Sequence, residues 1–350
     1  MSVESGRSLS TRALRGVLWT ASPFALQLFI GVLFYAFIPT EEMGRFEYAL
    51  IVVMVLALVA DLGLGSALVQ HRNTSEEHFD SAFWTNLAAG AALTAGLASA
   101  APQLARLSGA EDPEQFARVT RVLVLLVPFA AVSGVFRGRL QKDLRFRQMA
   151  AAEAFSILVY TAAAILLLRQ YGVMAAVISA VVRELVLLAG LWRASSWTPR
   201  LRFRLSALGD LFRFGINLTG SRCLNYAGHN LAGFVIFPLL GETALGYYRF
   251  AHRLTLMPLV RISAVVMRVF FPTFSAVQED DALLRRGYLR AVQSIALFFW
   301  PLLAVFVFAP EALELLRRVD GRDLRPAALP LQLLAAAALF KGAGCAVGSI

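Results

Sequence analysis

The sequence predicts an all-α integral membrane protein with about ten transmembrane helices in two lobes. Of its 350 residues, 58% are hydrophobic and only 16% are charged, and the mean hydropathy is +0.64. Soluble domains carry about 25% charged residues. The apolar residues fall in blocks of roughly 20, the length of a helix that crosses the hydrocarbon core of a bilayer. A soluble globular fold is therefore excluded.

Hydropathy defines the spans in chain order, with short connections between them. The first apolar block is too long for the h-region of a signal peptide, so we expect it to be a permanent span. The predicted spans are 16–39, 46–70, 80–105, 117–138, 148–168, 172–194, 211–238, 246–272, 289–309 and 327–350.

Charge and cysteine content narrow the function classes. The net charge is +10, but the basic residues form no contiguous domain, so nucleic acid is not an expected partner. Neither Cys223 nor Cys345 lies near further ligands at metal spacing, so no disulfide or metal site is predicted. With the N-terminus in the cytoplasm, sixteen basic residues lie on that side and seven on the other. The positive-inside rule therefore favours a cytoplasmic N-terminus.

A short internal repeat relates residues 39–49 to residues 241–251. Gly44 aligns with Gly246, an offset of about 202 residues. Six predicted spans precede the second copy, and an even number gives both copies the same orientation, as in parallel transporter repeats. We therefore expect an N-terminal six-helix lobe over 1–205 and a C-terminal lobe over 206–350. We also expect the second lobe to be truncated by about two helices relative to a full copy.

Arginines in the predicted eighth span are the first candidate site. Ionisable groups inside a bilayer are costly and mark functional positions. At 100° per residue the four arginines cover about a third of the helix circumference and rise roughly 28 Å. Guanidinium groups bind phosphate bidentately, so this row of four arginines suits a cavity wall that binds a diphosphate. The end residues can instead snorkel to the interfaces, and the two middle ones can instead pair with helix ends or carbonyls. In order, the four are Arg249, Arg253, Arg261 and Arg268.

Polar residues of the seventh span form a second candidate face. They fall within about 140° of one another around the helix. We expect Arg222, Asn225 and His229 to line the substrate cavity, although polar side chains also join helices by hydrogen bonds. His229 can either titrate in a proton-coupled cycle or form an ordinary hydrogen bond. The face comprises Arg222, Asn225, Tyr226, His229 and Asn230.

A third group lies at the end of the second span. Asp61 precedes a glycine-rich turn, where it can cap the helix or pair with a loop arginine, with gating as the alternative. Gly63 and Gly65 permit a bend or a close approach between helices. Proline residues inside spans predict kinks; they are Pro23, Pro128, Pro258 and Pro301.

Five segments, taken together, resemble Wzx-type polysaccharide flippases of the multidrug/oligosaccharidyl-lipid/polysaccharide exporter superfamily. Their order and spacing match along essentially the whole chain. The segments are 12–36 (RALRGVLWTASPFALQLFIGVLFYA), 61–70 (DLGLGSALVQ), 81–86 (SAFWTN), 143–146 (DLRF) and 245–248 (LGYY) with Arg253.

The resemblance implies two lobes around a central cavity in the bacterial inner membrane. It implies a flippase that moves an undecaprenyl-diphosphate-linked oligosaccharide to the periplasmic leaflet for surface polysaccharide, such as lipopolysaccharide. Membrane lipids and the polymerase and glycosyltransferases of the pathway are the implied partners, and no cofactor is implied. Members of the family commonly carry an Asp after an Asn in span seven. Here Asn230 is followed by Leu231, so that ion-coupling acid is not carried over.

Two further functional hypotheses compete with the prediction of a polysaccharide flippase. A lipid II flippase or a drug/cation antiporter belongs to the same superfamily, and an antiporter would favour carboxylates over arginines in its cavity. A membrane glycan polymerase or ligase would present a large periplasmic loop, whereas the longest connection here runs over residues 310–326. The chain also contains no phosphate-binding loop, HExxH or GxSxG motif, so an enzyme is not predicted.

Overall fold

Residues 26–276, 281–308 and 325–344 are described by a computed structural model. Every regular element within these ranges is helical, which confirms the all-α class. The helices are α1 (Leu26–Phe37), α2 (Thr40–Asp61), α3 (Leu64–Gln70), α4 (Glu76–Leu107), α5 (Pro113–Leu123), α6 (Leu126–Lys142), α7 (Phe146–Tyr171), α8 (Val173–Ala194), α9 (Leu205–Ala276), α10 (Asp281–Phe308) and α11 (Ala328–Gly344), with a 3₁₀ turn at Arg325–Ala327.

Six helical segments of the described chain are long and apolar enough to cross a membrane. The last of them includes most of two predicted spans, the seventh and eighth. Shorter apolar helices at Leu26–Phe37 and Phe299–Phe308 correspond to the first and ninth predicted spans, and α11 to the tenth. The six segments are Thr40–Asp61, Glu76–Leu107, Pro113–Lys142, Phe146–Tyr171, Val173–Ala194 and Leu205–Val260.

The chain divides into two compact units. The first unit is Phe37–Gly246, and the second joins Met1–Ala36 with Tyr247–Ile350. The first unit has an apolar core that includes Phe79, Phe136 and Trp197. In the second unit, side chains of α9, α10 and α11 form a smaller cluster: Leu259, Phe299, Leu303, Ala335 and Ala338. The boundary between lobes at residue 205 stays a prediction.

A sharp turn separates α2 from α3. Leu62 and Gly63 both adopt left-handed backbone conformations, with φ of 47° and 66°. Such a φ is strained for leucine but not for glycine. The turn packs against α9, because a Cβ added to Gly63 would collide with the carbonyl oxygen of Gly215. The glycine-rich sequence therefore provides both the bend and the close helix approach expected of it.

Pro128 explains the break between α5 and α6. Its ring clashes with the carbonyl four residues earlier and removes one helical hydrogen bond. That carbonyl belongs to Val124, and it accepts instead from the backbone N–H of Val127 at 3.0 Å and from Thr94 Oγ1 at 3.2 Å. Replacement by a nearby hydroxyl is how a broken helix is tolerated at membrane depth. By contrast, α9 and α10 continue through Pro258 and Pro301, and Pro23 lies outside the described residues.

Gly241 divides the 72-residue helix α9. Its φ of 84° and ψ of 179° are the only non-helical backbone angles within α9. This conformation is open almost exclusively to glycine. The sequence predicts two spans here, 211–238 and 246–272, with a connection between them. The structure makes the separation at this single residue.

The repeat segments contact each other reciprocally within the first unit. A Cβ added to Gly44 would collide with the carbonyl oxygen of Glu242, and a Cβ added to Gly246 would collide with that of Thr40. Thr40 and Glu242 are separated by the same offset of about 202 residues as the two glycines. Small residues four apart allow such close approach of helices in membranes. A local two-fold axis parallel to the membrane normal would generate this paired contact.

Candidate functional site

Asp61 and Arg222 form the centre of a polar cluster in the first unit. Arg222 Nη1 donates to Asp61 Oδ2 at 3.2 Å, and its Nη2 donates to Ser66 Oγ at 2.8 Å. Asn86 Nδ2 donates to Asp61 Oδ1 at 3.3 Å and to the carbonyl of Ala131 at 2.9 Å. Asp61 therefore pairs with an arginine of the seventh span. The expected loop arginine was wrong, because Arg222 lies within α9. The gating role of Asp61 stays a prediction.

Glycines give the Asp61 carboxylate its space. A Cβ added to Gly134 on α6 would collide with Asp61 Oδ1, and a Cβ added to Gly65 would collide with the carbonyl oxygen of Gly134. The chain of small residues lets α3 and α6 approach closely beside the carboxylate. Gly65 thus supports the position of Asp61, while Gly63 supports the turn that follows it.

The Asp61–Arg222 pair is only partly shielded. The Asp61 side chain is 15% exposed, and that of Arg222 is 40% exposed. A guanidinium with this exposure keeps donor capacity for a further anion, because it carries five N–H groups. The cluster therefore holds Arg222 in place without enclosing it.

Asn225 and His229 follow Arg222 along α9 and are exposed in the first unit. His229 Nδ1 lies 2.9 Å from the carbonyl oxygen of Asn225. A carbonyl only accepts, so Nδ1 carries the proton and Nε2 of the neutral ring is an acceptor. The side chain of Asn230 donates within the helix, to the carbonyl of Tyr226 at 2.9 Å. These residues lie along α9, and Arg222 turns towards Asp61. Their place in a substrate cavity stays a prediction.

Arg253 belongs to the second unit and lies beside α1. Its guanidinium carbon is 5.6 Å from the centroid of the Tyr35 ring, a cation–π distance. Tyr35 also contacts the Phe250 ring, with centroids 5.2 Å apart. Gly31 makes room for the arginine, because a Cβ at that position would collide with Arg253 Nη1. Arg253 is half-buried and held by an aromatic surface.

The other three arginines of the predicted eighth span also lie on α9. Arg249 is half-buried in the second unit. Arg261 and Arg268 lie on α9, but their side chains are outside the described residues. The structure thus brings Arg222 together with Asp61 in the first unit, and it places Arg253 with Tyr35 in the second.

A buried ion pair in the first unit escaped the sequence analysis. Arg45 Nε and Nη2 both donate to Glu242 Oε2, at 2.9 and 2.5 Å, and the backbone N–H of Glu111 donates to Oε1 at 3.1 Å. The side chains are 5% and 0% exposed. The internal repeat was the sequence signal for this pair, because Arg45 lies in its first copy and Glu242 in its second. Hydropathy alone placed Arg45 in a connection.

The comparisons with known proteins place the chain in a family. Residues 36–316 match the model of the polysaccharide biosynthesis protein family. The teichuronic acid biosynthesis protein TuaB of Bacillus subtilis is 29% identical, over 73% of this chain and 53% of its own length. The succinoglycan biosynthesis transport protein ExoT of Rhizobium meliloti is 31% identical, over 75% of this chain and 53% of its own. The lipopolysaccharide biosynthesis protein WzxC of Escherichia coli is 22% identical, over 98% of this chain and 70% of its own.

Solved structures share the fold at lower sequence identity. The lipid II flippase MurJ in an inward closed conformation superposes with a TM-score of 0.75 at 14% identity, over 95% of this chain and 74% of MurJ. An inward-facing multidrug resistance MATE family transporter of the MOP superfamily gives 0.57 at 18%, over 93% of this chain and 82% of its own. The chain spans about half the length of TuaB and ExoT. It belongs to the polysaccharide biosynthesis protein family, and its fold is that of the MOP-superfamily transporters.

Proposed function

We propose that the protein moves an undecaprenyl-diphosphate-linked oligosaccharide across the bacterial inner membrane for surface polysaccharide synthesis. Family membership over residues 36–316 supports this proposal. Three relatives are named for the biosynthesis of teichuronic acid, lipopolysaccharide and succinoglycan, and the last is named a transport protein.

The single observation that carries the substrate class is Arg253. Its guanidinium lies within an apolar span of α9 and is held over Tyr35. Glu242, a buried carboxylate of the same helix, is already engaged by Arg45. Beyond Glu242 the helix carries Arg249, Arg253 and Arg261. This excess of positive charge fits a diphosphate and opposes the cationic substrates of a drug antiporter.

Arg222 is a second group that can bind an anion, and in the structure it is paired with Asp61. It is bound to Asp61 and Ser66 but remains 40% exposed on its side chain. A diphosphate that reaches Arg222 competes with Asp61 for the same guanidinium donors. We infer that exchange between these two partners accompanies alternating access of the two lobes. Asn225 and His229, on the same helix, supply hydrogen-bonding groups for sugar hydroxyls.

The same proposal includes topology and partners. The N-terminus is cytoplasmic by the positive-inside rule, and transport runs from the cytoplasmic to the periplasmic leaflet. The protein works as a transporter and not as an enzyme, between the glycosyltransferases that build the repeat unit and the polymerase that consumes it. Fusions of a periplasm-active reporter after Leu107 and after Lys142 test the topology, with activity expected only at Leu107.

Export complementation tests the transport function. The full-length protein with Arg253→Ala is expressed in a strain lacking its own polysaccharide flippase, and surface polysaccharide is quantified alongside membrane-inserted protein. Export falls at least tenfold in this variant and in Arg261→Ala, whereas Arg253→Lys retains part of it. Arg118→Ala, which removes an exposed arginine of α5, is the matched control and exports normally.

The outcome against the proposal is full export by both Arg253→Ala and Arg261→Ala at equal protein level. A second recipient, depleted of its lipid II flippase, separates the related alternative. Lipid II carries the same undecaprenyl diphosphate but a different glycan. Rescue of that strain, without rescue of polysaccharide export, would reassign the substrate to lipid II.

A further inference from the structure

Two histidines and one aspartate converge at one end of the first unit. His71 follows α3, His78 lies in the first turn of α4, and Asp210 lies in the second turn of α9. One ligand atom from each can be chosen so that all three lie within 4.8 Å of one another. The ring centroids of the two histidines are 5.3 Å apart. No spacing rule finds this group in the sequence, because Asp210 is distant along the chain.

Hydrogen bonds to Ser75 fix the orientation of His78. The backbone N–H of Ser75 lies 3.2 Å from His78 Nδ1, and the Ser75 hydroxyl lies 2.8 Å from the same atom. The ring therefore turns its other nitrogen, Nε2, towards Asp210 Oδ2, which is 3.5 Å away. Nε2 is buried and makes no hydrogen bond within the described part of the chain. A buried ring nitrogen beside a carboxylate and a second imidazole is a ligand arrangement.

We propose that His71, His78 and Asp210 bind a divalent transition-metal ion of the zinc type. Imidazole and carboxylate ligands suit Zn²⁺, and three protein ligands leave a fourth position for water. Bonds of about 2.0–2.2 Å place tetrahedral ligand atoms roughly 3.4 Å apart. Metal binding therefore requires the ligand atoms, which now lie within 4.8 Å of one another, to move closer together. Asp210 is exposed and can make this adjustment.

The cavity beside the three residues gives space for an ion, and Ser75 supports the His78 ring. A cavity of about 380 Å³ adjoins the group and is lined in part by His71 and Asp210. When Nε2 binds the metal, Nδ1 carries the proton and donates it to the Ser75 hydroxyl, the kind of partner that orients metal-bound histidines. The hydrogen bond that Nδ1 accepts from the Ser75 backbone N–H is then lost.

Among the neighbouring charged groups, Asp210 is the carboxylate that we assign as a metal ligand. Arg72 also lines the cavity, but it is exposed, so water and salt screen its charge. Glu77, next to His78, is engaged by Arg204 at 2.6 Å, and this hydrogen bond raises the pKa of Arg204. The metal links the loop after α3 to the start of α9, the helix that carries Arg222. Its binding is independent of which lipid the protein transports.

Zinc titration of the purified full chain in detergent tests the proposal. After treatment with a chelator, ZnCl₂ is titrated against the protein in competition with a chromophoric zinc indicator. We expect one equivalent to bind. His71→Ala, His78→Ala and Asp210→Asn each weaken that binding at least tenfold. His252→Ala removes a histidine of the second unit as the matched control and leaves the binding unchanged.

Two results would overturn the site. One is the absence of a one-equivalent zinc event in the wild type. The other is wild-type zinc affinity in the Asp210→Asn variant and also in one of the two single histidine variants. Loss of His78 also removes its contacts with Ser75 at the start of α4, so each variant is first compared by size-exclusion profile. Asp210→Asn, at an exposed side chain, keeps the test decisive if His78→Ala fails to fold. MgCl₂ titrated in parallel should not displace zinc.

Discussion

α2 is joined to α9 by an ion pair near each of its ends, and the two pairs differ in burial. Near the start of α2, Arg45 binds Glu242, with the side chains 5% and 0% exposed. At its end, Asp61 binds Arg222, with the side chains 15% and 40% exposed. Both pairs join a guanidinium group to a carboxylate. Only the first pair is shielded from solvent and from a bound ligand.

The difference separates a structural contact from a functional one. A buried pair cannot exchange partners without leaving an uncompensated charge, a cost of several kcal/mol. The Arg45–Glu242 pair also adjoins the reciprocal Gly44 and Gly246 contact, so packing and charge stabilise the same end. A partly exposed pair gains little stability and can release its arginine. We therefore expect mutations at the first pair to reduce folding stability and mutations at the second to reduce transport.

The largest effect on stability is expected at the buried pair. Arg45→Ala leaves Glu242 as an unpaired buried charge and lowers the free energy of unfolding by about 3–5 kcal/mol. Thermal unfolding of the purified protein in detergent measures this loss. The double variant Arg45→Met with Glu242→Leu removes both charges and should recover most of the stability. A double variant no more stable than Arg45→Ala would show that the pair is not the source of the loss.

Glycine substitutions at the reciprocal contact rank next. Gly44→Ala and Gly246→Ala each place a Cβ against a backbone carbonyl. Each should lower the free energy of unfolding by about 1–3 kcal/mol, the usual cost of overpacking. The two losses should be similar if the contact is two-fold. Gly96→Ala is the control: nothing lies within 4 Å of the added Cβ, so it should be neutral or slightly stabilising. A small loss at one of the two glycines alone would contradict the symmetry.

The smallest stability effect, with a large effect on export, is expected at the exposed pair. Asp61→Asn keeps the size of the side chain and removes its charge. It should change the free energy of unfolding by less than about 1 kcal/mol, because the pair is partly exposed. Arg222→Ala should destabilise more than Asp61→Asn, because it leaves the Asp61 carboxylate, only 15% exposed, without its cation. Both should lower surface polysaccharide at least fivefold in the complementation assay, and unaltered export at equal protein level would remove this pair from the transport cycle.

The sequence predicted what depends on local pattern. Blocks of apolar residues located the spans, and the repeat aligned Gly44 with Gly246. The reciprocal contact between the two repeat segments is visible only in the folded structure. Asp61 was identified because a carboxylate beside apolar spans is costly. Its partner could not be predicted, because Arg222 is 161 positions away along the chain.

Two other features depend on three-dimensional packing. The Arg45–Glu242 pair joins residues 197 positions apart, so hydropathy treated Arg45 as an ordinary connection residue. The surface of Tyr35 against Arg253 depends on how α1 packs on α9, and periodicity does not encode that packing. The sequence therefore located the charges, whereas the folded structure determined which of them are enclosed.

Binding of undecaprenyl diphosphate to the purified full-length protein tests the central claim most directly. Affinity is measured for the wild type and for Arg253→Ala in the same detergent, with Arg118→Ala as the control. A charge-assisted hydrogen bond contributes about 1.5–3 kcal/mol, so losing Arg253 should weaken binding roughly ten- to a hundredfold. The control should match the wild type. Equal affinity of all three proteins would contradict the assignment of the α9 arginines to the diphosphate.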